Sequence, residues 1–195
     1  MKNKRGEQTR QKIKEKAILL FAEKGFKEVT MKDICEVTGL SRGGLYCHYE
    51  STQEIFQEII EDLMNRQENS FDEQIRQNLP AVTILDGTLE KYREEMLDSR
   101  SSLSVAIHEY FSQKETSDEE NSLYVQYLAS KRAWEKLLQY GIERREFRQV
   151  DISAIIDLLI FSYQGVRMYS RLMPVDKEIP LRILREIRSI LVNEA

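Results

Sequence analysis

Two helix-start signals stand close together near the beginning of this chain, and they leave little freedom for what lies between them. Thr30 precedes Met31-Lys32-Asp33-Ile34. It offers a hydroxyl N-cap, with Asp33 three residues on, where a carboxylate favours a helix N-terminus, and with Val29 and Ile34 placed as a hydrophobic staple. Ser41 repeats the arrangement, with Leu40 and Leu45 as its staple. Gly39 stops the earlier helix. Thr30 to Tyr49 therefore reads as helix, three-residue turn (Gly39-Leu40-Ser41), helix, with Ile34, Cys35, Val37, Leu40, Leu45 and Tyr49 as the apolar inner face.

The second helix opens Ser41-Arg42-Gly43-Gly44. Two glycines in a helix cost about 1 kcal/mol each relative to alanine. Core packing does not account for them at an exposed N-terminal turn, whereas a surface that must approach another body closely does. Groups able to donate to phosphate oxygens surround them: the Ser41 hydroxyl, the free amides of the helix start, Arg42, Tyr46 and His48. Arg42 could instead read a guanine edge bidentately. Lys2, Lys4, Arg5, Arg10, Lys12 and Lys14 read as a basic tail adding sequence-independent attraction.

The remaining sequence keeps the 3.6-residue period and shows no alternating strand pattern, so the fold class is all-α. A first helix spans about Gln8 to Lys24, with Ile13, Ala17, Leu20 and Phe21 on one face and Gly25 after it. Ser51-Thr52-Gln53-Glu54 is a capping box opening a fourth helix, which fades near Asn78 before Pro80. Further helices are expected over Ala81–Leu97, from Ser101 or Ser102 through Phe111, over Ser122–Glu146, and over Ile152–Met173 behind an Asp151 cap. A last helix starts with Pro180 in its first position. A polar loop occupies 114–121.

Charge divides the chain. Residues 1–50 carry 11 Lys/Arg and 7 Asp/Glu, and residues 51–195 carry 18 and 26, so a basic head sits on an acidic body and only the head is suited to a polyanion. No apolar run reaches a bilayer-spanning length and no signal-type core follows the basic start, which points away from the membrane and to the cytoplasm. Cys35 and Cys47 make no disulfide framework. Cys47-His48 lacks a second ligand pair, so no metal and no cofactor are expected. There is no Gly-rich phosphate loop and no Ser/His/Asp arrangement, so catalysis is not expected. His108 reads equally as a pocket residue or as a structural histidine.

The stretch Thr30…Ile34-Cys35…Thr38-Gly39-Leu40-Ser41-Arg42-Gly43-Gly44-Leu45-Tyr46-Cys47-His48-Tyr49…Glu54-Ile55-Phe56 resembles the signature of the tetracycline-repressor (TetR) family of bacterial regulators. The specific match covers about fifty residues. The rest is similar only in the number, length and order of its helices. The resemblance implies a three-helix DNA-binding domain, residues 1–50, and a bundle of about six helices, residues 51–195, for effector binding and dimerisation. It further implies an Ω-shaped homodimer on double-stranded operator DNA and a small-molecule effector that releases it. Carried over, Thr30, Ser41, Tyr46 and His48 would touch phosphates, Arg42 and Gly43 would face the groove, and Gly44 would permit close approach. Glu50 and Thr52 stand where the family often has basic residues, which removes the usual lysine–phosphate contact there.

Two further sets of residues stand out in the body of the chain. Tyr92, Phe111, Tyr127, Trp134, Phe161 and Gln164 are the candidate effector pocket, aromatic with a few polar groups as ligand sites are. Ile155, Leu159, Leu184, Ile187 and Leu191 are the candidate dimer interface, because the apolar run from Ile152 to Phe161 exceeds what a one-sided surface helix carries. Two alternatives stand beside this reading: a protein-interaction adaptor whose helix-turn-helix has lost DNA, resting on Glu50 and Thr52, and a DNA-binding regulator that has no small-molecule effector.

Overall fold

The computed structural model describes residues 2–98, 102–112 and 122–192. All regular structure among them is helical: α1 (Lys2–Lys24), α2 (Met31–Thr38), α3 (Arg42–Tyr46), α4 (Thr52–Glu68), α5 (Asp72–Arg76), α6 (Ala81–Leu97), α7 (Ser104–Phe111), α8 (Ser122–Glu143), α9 (Ile152–Leu172) and α10 (Glu178–Leu191). Ser101, the polar segment 114–121 and the side chains of Lys2, Lys4 and Arg5 lie outside the described residues. The helices sort into two compact units. One holds α1 to α3, α4 as far as Leu63, and α7; the other holds the end of α4, α5, α6, α8, α9 and α10.

The first unit is built on the inner rows of α1 and α4. Ile13, Ala17, Leu20 and Phe21 are buried from α1, and Ile55, Phe56, Ile59 and Ile60 from α4. An aromatic cluster joins them: Phe56 lies 4.7 Å from Phe21, 5.1 Å from Phe26 and 5.1 Å from Tyr110, centroid to centroid. Tyr110 comes from α7, a helix that follows the head in sequence yet belongs to the first unit. A second contact fastens α7. The Glu109 carboxylate accepts from the backbone N–H of Phe26 at 2.7 Å and of Lys27 at 3.1 Å, just past the end of α1. Gly25 makes room for it with a left-handed φ of 81°, and a Cβ there would come within 2.6 Å of the Glu109 carboxylate.

The second unit packs α6, α8, α9 and α10 around Ile84, Leu85, Met96, Trp134, Leu137, Leu138, Ile156 and Leu159, all essentially inaccessible. Pro80 gives α6 no side-chain cap, and the Glu146 carboxylate supplies one from a distance by accepting from the Val82 N–H at 3.2 Å. Arg188 of α10 grips Asp86 of α6 with two bonds, 2.7 and 3.1 Å. A polar group lies among the apolar side chains: the Tyr163 hydroxyl donates to Glu95 and accepts from Arg167, and the Trp134 indole N–H donates to the Tyr92 hydroxyl at 3.3 Å. Burial pushes the Tyr92 hydroxyl up to about 12.

Several boundaries differ from the sequence reading. α1 starts at Lys2 rather than near Gln8, so the basic tail is helix. α8 ends at Glu143, because Arg145 turns left-handed (φ 61°) and lets the Phe147 ring lie on Gly141. Pro180 is the third residue of α10, still within the first turn, where a missing N–H costs nothing. The stretch after Asn65 contains the separate short helix α5.

The candidate dimer residues lie elsewhere than expected. Ile155, Leu159, Leu184, Ile187 and Leu191 are at most 5% accessible and belong to the protomer's own core. Each of these helices buries one row and exposes the next. The exposed apolar residues are Leu158, Phe161, Tyr169 and Leu172 on α9, and Leu181 and Ile190 on α10. The apolar excess of α9 was legible; which row faced inward was not.

Candidate nucleic-acid interface

The reading head forms because both short helices are capped by the residues their sequence offers. The Thr30 oxygen accepts from the Asp33 N–H at 3.3 Å, and the Asp33 carboxylate accepts from the Thr30 N–H at 2.9 Å, a reciprocal capping box. Lys24 adds an ion pair to Asp33 at 2.7 Å. Together the Lys24 and Thr30 bonds hold the Asp33 carboxyl well below the usual carboxylate range. Gly39 closes α2 in the left-handed region, φ 71°, its N–H reaching the Cys35 carbonyl at 2.9 Å. Two residues later the Ser41 oxygen accepts from the Gly44 N–H at 3.1 Å and starts α3.

Inside the turn, Ile34, Leu45 and Tyr49 are buried as expected. Val37 is not: it is 40% accessible, and Thr38 takes the inward place by bonding its hydroxyl to the Ile34 carbonyl at 2.6 Å. A threonine that satisfies its hydroxyl on its own helix behaves as an apolar residue, a substitution that polarity patterns miss.

The outer face carries the predicted contact residues. Ser41, Arg42 and Gly43 are exposed and Tyr46 is 42% accessible, while Gly44 and His48 are half-buried. Arg42 sits 5.6 Å from the centroid of the Tyr46 ring one turn on, and among the described residues no carboxylate lies within ion-pair distance of it. The Ser41 oxygen accepts one bond in the cap, which leaves its proton to donate. Thr30 has none to give, because its hydroxyl proton already lies on Asp33. A Cβ on Gly43 would meet nothing within 4 Å, so no internal packing demands a glycine there. A Cβ on Gly44 would press on the Ser41 oxygen at 3.2 Å, which gives that glycine an internal reason: it protects the cap.

Three basic residues of α1, Arg10, Lys12 and Lys14, point elsewhere than the sequence suggested. Lys12 donates to the Thr38 carbonyl at 3.0 Å, at the C-terminal end of α2. Lys14 is buried between Glu58, at 3.0 Å, and Asp62. Arg10 donates to the His48 carbonyl at 2.6 Å and to Glu58, and lies over the Tyr49 ring at 4.1 Å. The Tyr49 hydroxyl completes the set by donating to Glu58 at 3.0 Å. Burial raises the Glu58 carboxyl, but the bonds from Arg10, Lys14 and Tyr49 outweigh it and leave the group below its ordinary value. Burial, followed by the bond to Glu58, pushes the Tyr49 hydroxyl up. Arg10, Lys12 and Lys14 thus brace the head's own helices.

The residues predicted to line an effector pocket do not come together. Tyr92 and Trp134 meet in the second unit's core, ring centroids 5.8 Å apart. Tyr127 and Phe161 are neighbours at 5.9 Å, but Tyr127 bonds Asp157 near the surface and Phe161 is 65% accessible. Gln164 is exposed beside it, and Phe111 belongs to the first unit, against Tyr110. The cause is the same as for the dimer residues: the inward row of α9 is Ile155, Ile156, Leu159 and Tyr163, which turns Phe161 and Gln164 outward. Among the described residues no group of three His, Cys, Asp or Glu could hold a metal ion, and no helix is long and apolar enough to cross a membrane.

A capped pair of short helices that buries one face and presents an exposed arginine and tyrosine on the other defines a helix-turn-helix DNA-binding protein. Residues 13–59 match the model for bacterial regulatory proteins of the tetR family, and residues 84–179 match a tetracyclin repressor-like C-terminal domain. The HTH-type transcriptional regulator YfiR of Bacillus subtilis is 32% identical over 145 residues, covering 74% of this chain and 70% of YfiR. The HTH-type transcriptional repressor KstR2 of Rhodococcus jostii is 25% identical over 183 residues, 91% of this chain and 74% of KstR2. A TetR-family transcriptional regulator from Agrobacterium tumefaciens has the same fold, with a TM-score of 0.76 at 14% identity over 96% of this chain and all of that one. The chain belongs to the tetR family of bacterial regulatory proteins and is a DNA-binding transcriptional regulator.

Proposed function

We propose that the chain is a transcriptional repressor that binds a pseudo-palindromic operator as a homodimer and is released by a small apolar or amphipathic effector. The observation that carries this is the outer face of α3, where Arg42 and Tyr46 stand exposed while Leu45 and Tyr49 anchor the helix from behind. Relatives named as repressors support the sense of regulation, KstR2 among them and the probable acrEF/envCD operon repressor of Escherichia coli, 37% identical over 51 residues. Residues 1–50 read the DNA, and residues 51–195 dimerise and respond to the effector. Ser41, Arg42, Gly43, Tyr46 and His48 make the contacts, with Gly44 and Thr30 acting through the caps. The protein works in the cytoplasm as a regulator and not as an enzyme.

Homodimerisation draws on the exposed apolar rows of α9 and α10, which a second copy would cover. Two heads on a two-fold axis then meet half-sites about one helical turn, or a multiple of it, apart. The effector acts as a coupling free energy of about 1–3 kcal/mol between body and heads. The deciding experiment titrates the protein against its own promoter region and against random DNA at moderate salt. Selective binding, abolished by Arg42→Ala and by Tyr46→Ala with the dimer intact, is the expected result. Equal binding to both DNAs, or indifference to both substitutions, would leave the adaptor reading in place.

A further inference from the structure

α3 is five residues long, far below the length at which a helix holds itself, so its pose on DNA is set by what grips it. The gripping side is well defined. At its N-terminal end the helix has the Ser41 cap. At its C-terminal end the segment Cys47-His48-Tyr49-Glu50-Ser51-Thr52 carries no lysine or arginine that a phosphate could fix. It is held from within instead. Arg10 of α1 takes the His48 carbonyl at 2.6 Å and stacks on the Tyr49 ring, and Glu54 accepts from the Glu50 N–H at 2.7 Å. Glu58 of α4 ties these together: one of its oxygens receives both Arg10 and the Tyr49 hydroxyl, and the other receives Lys14 at 3.0 Å.

We propose that Glu58, acting through Arg10 and Tyr49, is the positioning residue that sets the pose of the recognition helix, so that an internal carboxylate of α4 governs how well the head discriminates its operator. None of the three lies on the outer face; Tyr49 is buried. Their influence is on where Arg42 and Tyr46 sit. The inference rests on the operator binding proposed above.

Electrostatics alone gives the opposite expectation for Glu58. Removing a negative charge from a head that meets a polyanion should tighten binding. Positioning predicts the reverse, and it predicts a particular kind of loss. Specific binding depends on side chains reaching base edges, whereas non-specific binding depends on charge. Glu58→Gln and Tyr49→Phe should therefore weaken operator binding by about tenfold, the effect of losing a hydrogen bond to a charged group. Affinity for random DNA should stay within about twofold, and the slope of log affinity against log salt should not change, since no phosphate contact is lost. A merely structural defect would lower both affinities together.

The test measures fluorescence anisotropy on operator and random duplexes over a salt series, with circular dichroism as the folding check. Failure of the unaltered protein to prefer the operator overturns the operator-binding reading and this inference with it. If the unaltered protein selects its operator, a Glu58→Gln variant that binds as tightly or more tightly, beside a Tyr49→Phe variant that binds unchanged, overturns the positioning role alone. Should Glu58→Gln fail to fold, Tyr49→Phe decides, since it keeps the ring and alters no charge.

Discussion

At the scale of single residues, Asp33 shows how one carboxylate can serve two ends of the head at once. It closes the capping box of α2 and takes Lys24 from the end of α1. Because those bonds depress its pKa in the folded state, its contribution to stability is complete above about pH 4, where the unfolded chain's carboxylate is also ionised. The contribution is lost as pH falls further, through the folded value. Asp33→Asn should cost about 1 kcal/mol at pH 7. In thermal melts the gap between variant and parent should narrow steadily from pH 4 toward pH 2; a gap that stays constant with pH would show that the charge of Asp33 is idle. Much at this scale was legible. Thr30, Asp33, Gly39, Ser41, Leu45 and the exposure of Arg42 and Tyr46 all follow from rules that act within four residues. The partners of Arg10, Lys12 and Lys14 do not, since each lies on another helix. A cation read alone looks like a free cation.

At the scale of elements, α7 shows where local rules run out. Its apolar residues mark a helix, but nothing in them says that it packs with α1 and α4. The decisive contact joins Glu109 to the Phe26 N–H, 83 residues away. Gly25 is readable as a helix terminator; that its missing Cβ also admits a carboxylate is not. Gly25→Ala should therefore destabilise by more than the roughly 1 kcal/mol that a left-handed alanine usually costs. The double variant Gly25→Ala with Glu109→Ala should recover only the steric part while losing the two backbone bonds. Urea unfolding of the four members of this cycle measures the coupling. Additive effects would mean that Glu109 can move aside freely.

At the scale of the whole molecule, the difference between the buried and exposed rows of α9 and α10 turns into a test of assembly. Leu158→Glu and Phe161→Glu replace exposed apolar groups, so the protomer should keep its helix content while the proposed dimer dissociates in sedimentation velocity. Leu159→Glu, one residue along, buries an unpaired charge in the protomer's core and should prevent folding altogether. A dimer that survives both surface substitutions places the two-fold axis on another face. The sequence carried the total of apolar residues on these helices but not their phase. That phase is set by the packing of α6 and α8 on the other side.

The chain contains a single tryptophan, and its indole N–H is bonded to the Tyr92 hydroxyl within the second unit. Ultraviolet emission excited at the red edge thus comes from one address. A stopped-flow trace recorded this way times the assembly of the helices around Trp134 and is blind to the DNA-reading half. Any mismatch between that trace and one followed by far-ultraviolet dichroism clocks the two halves separately, without a dye or an added label.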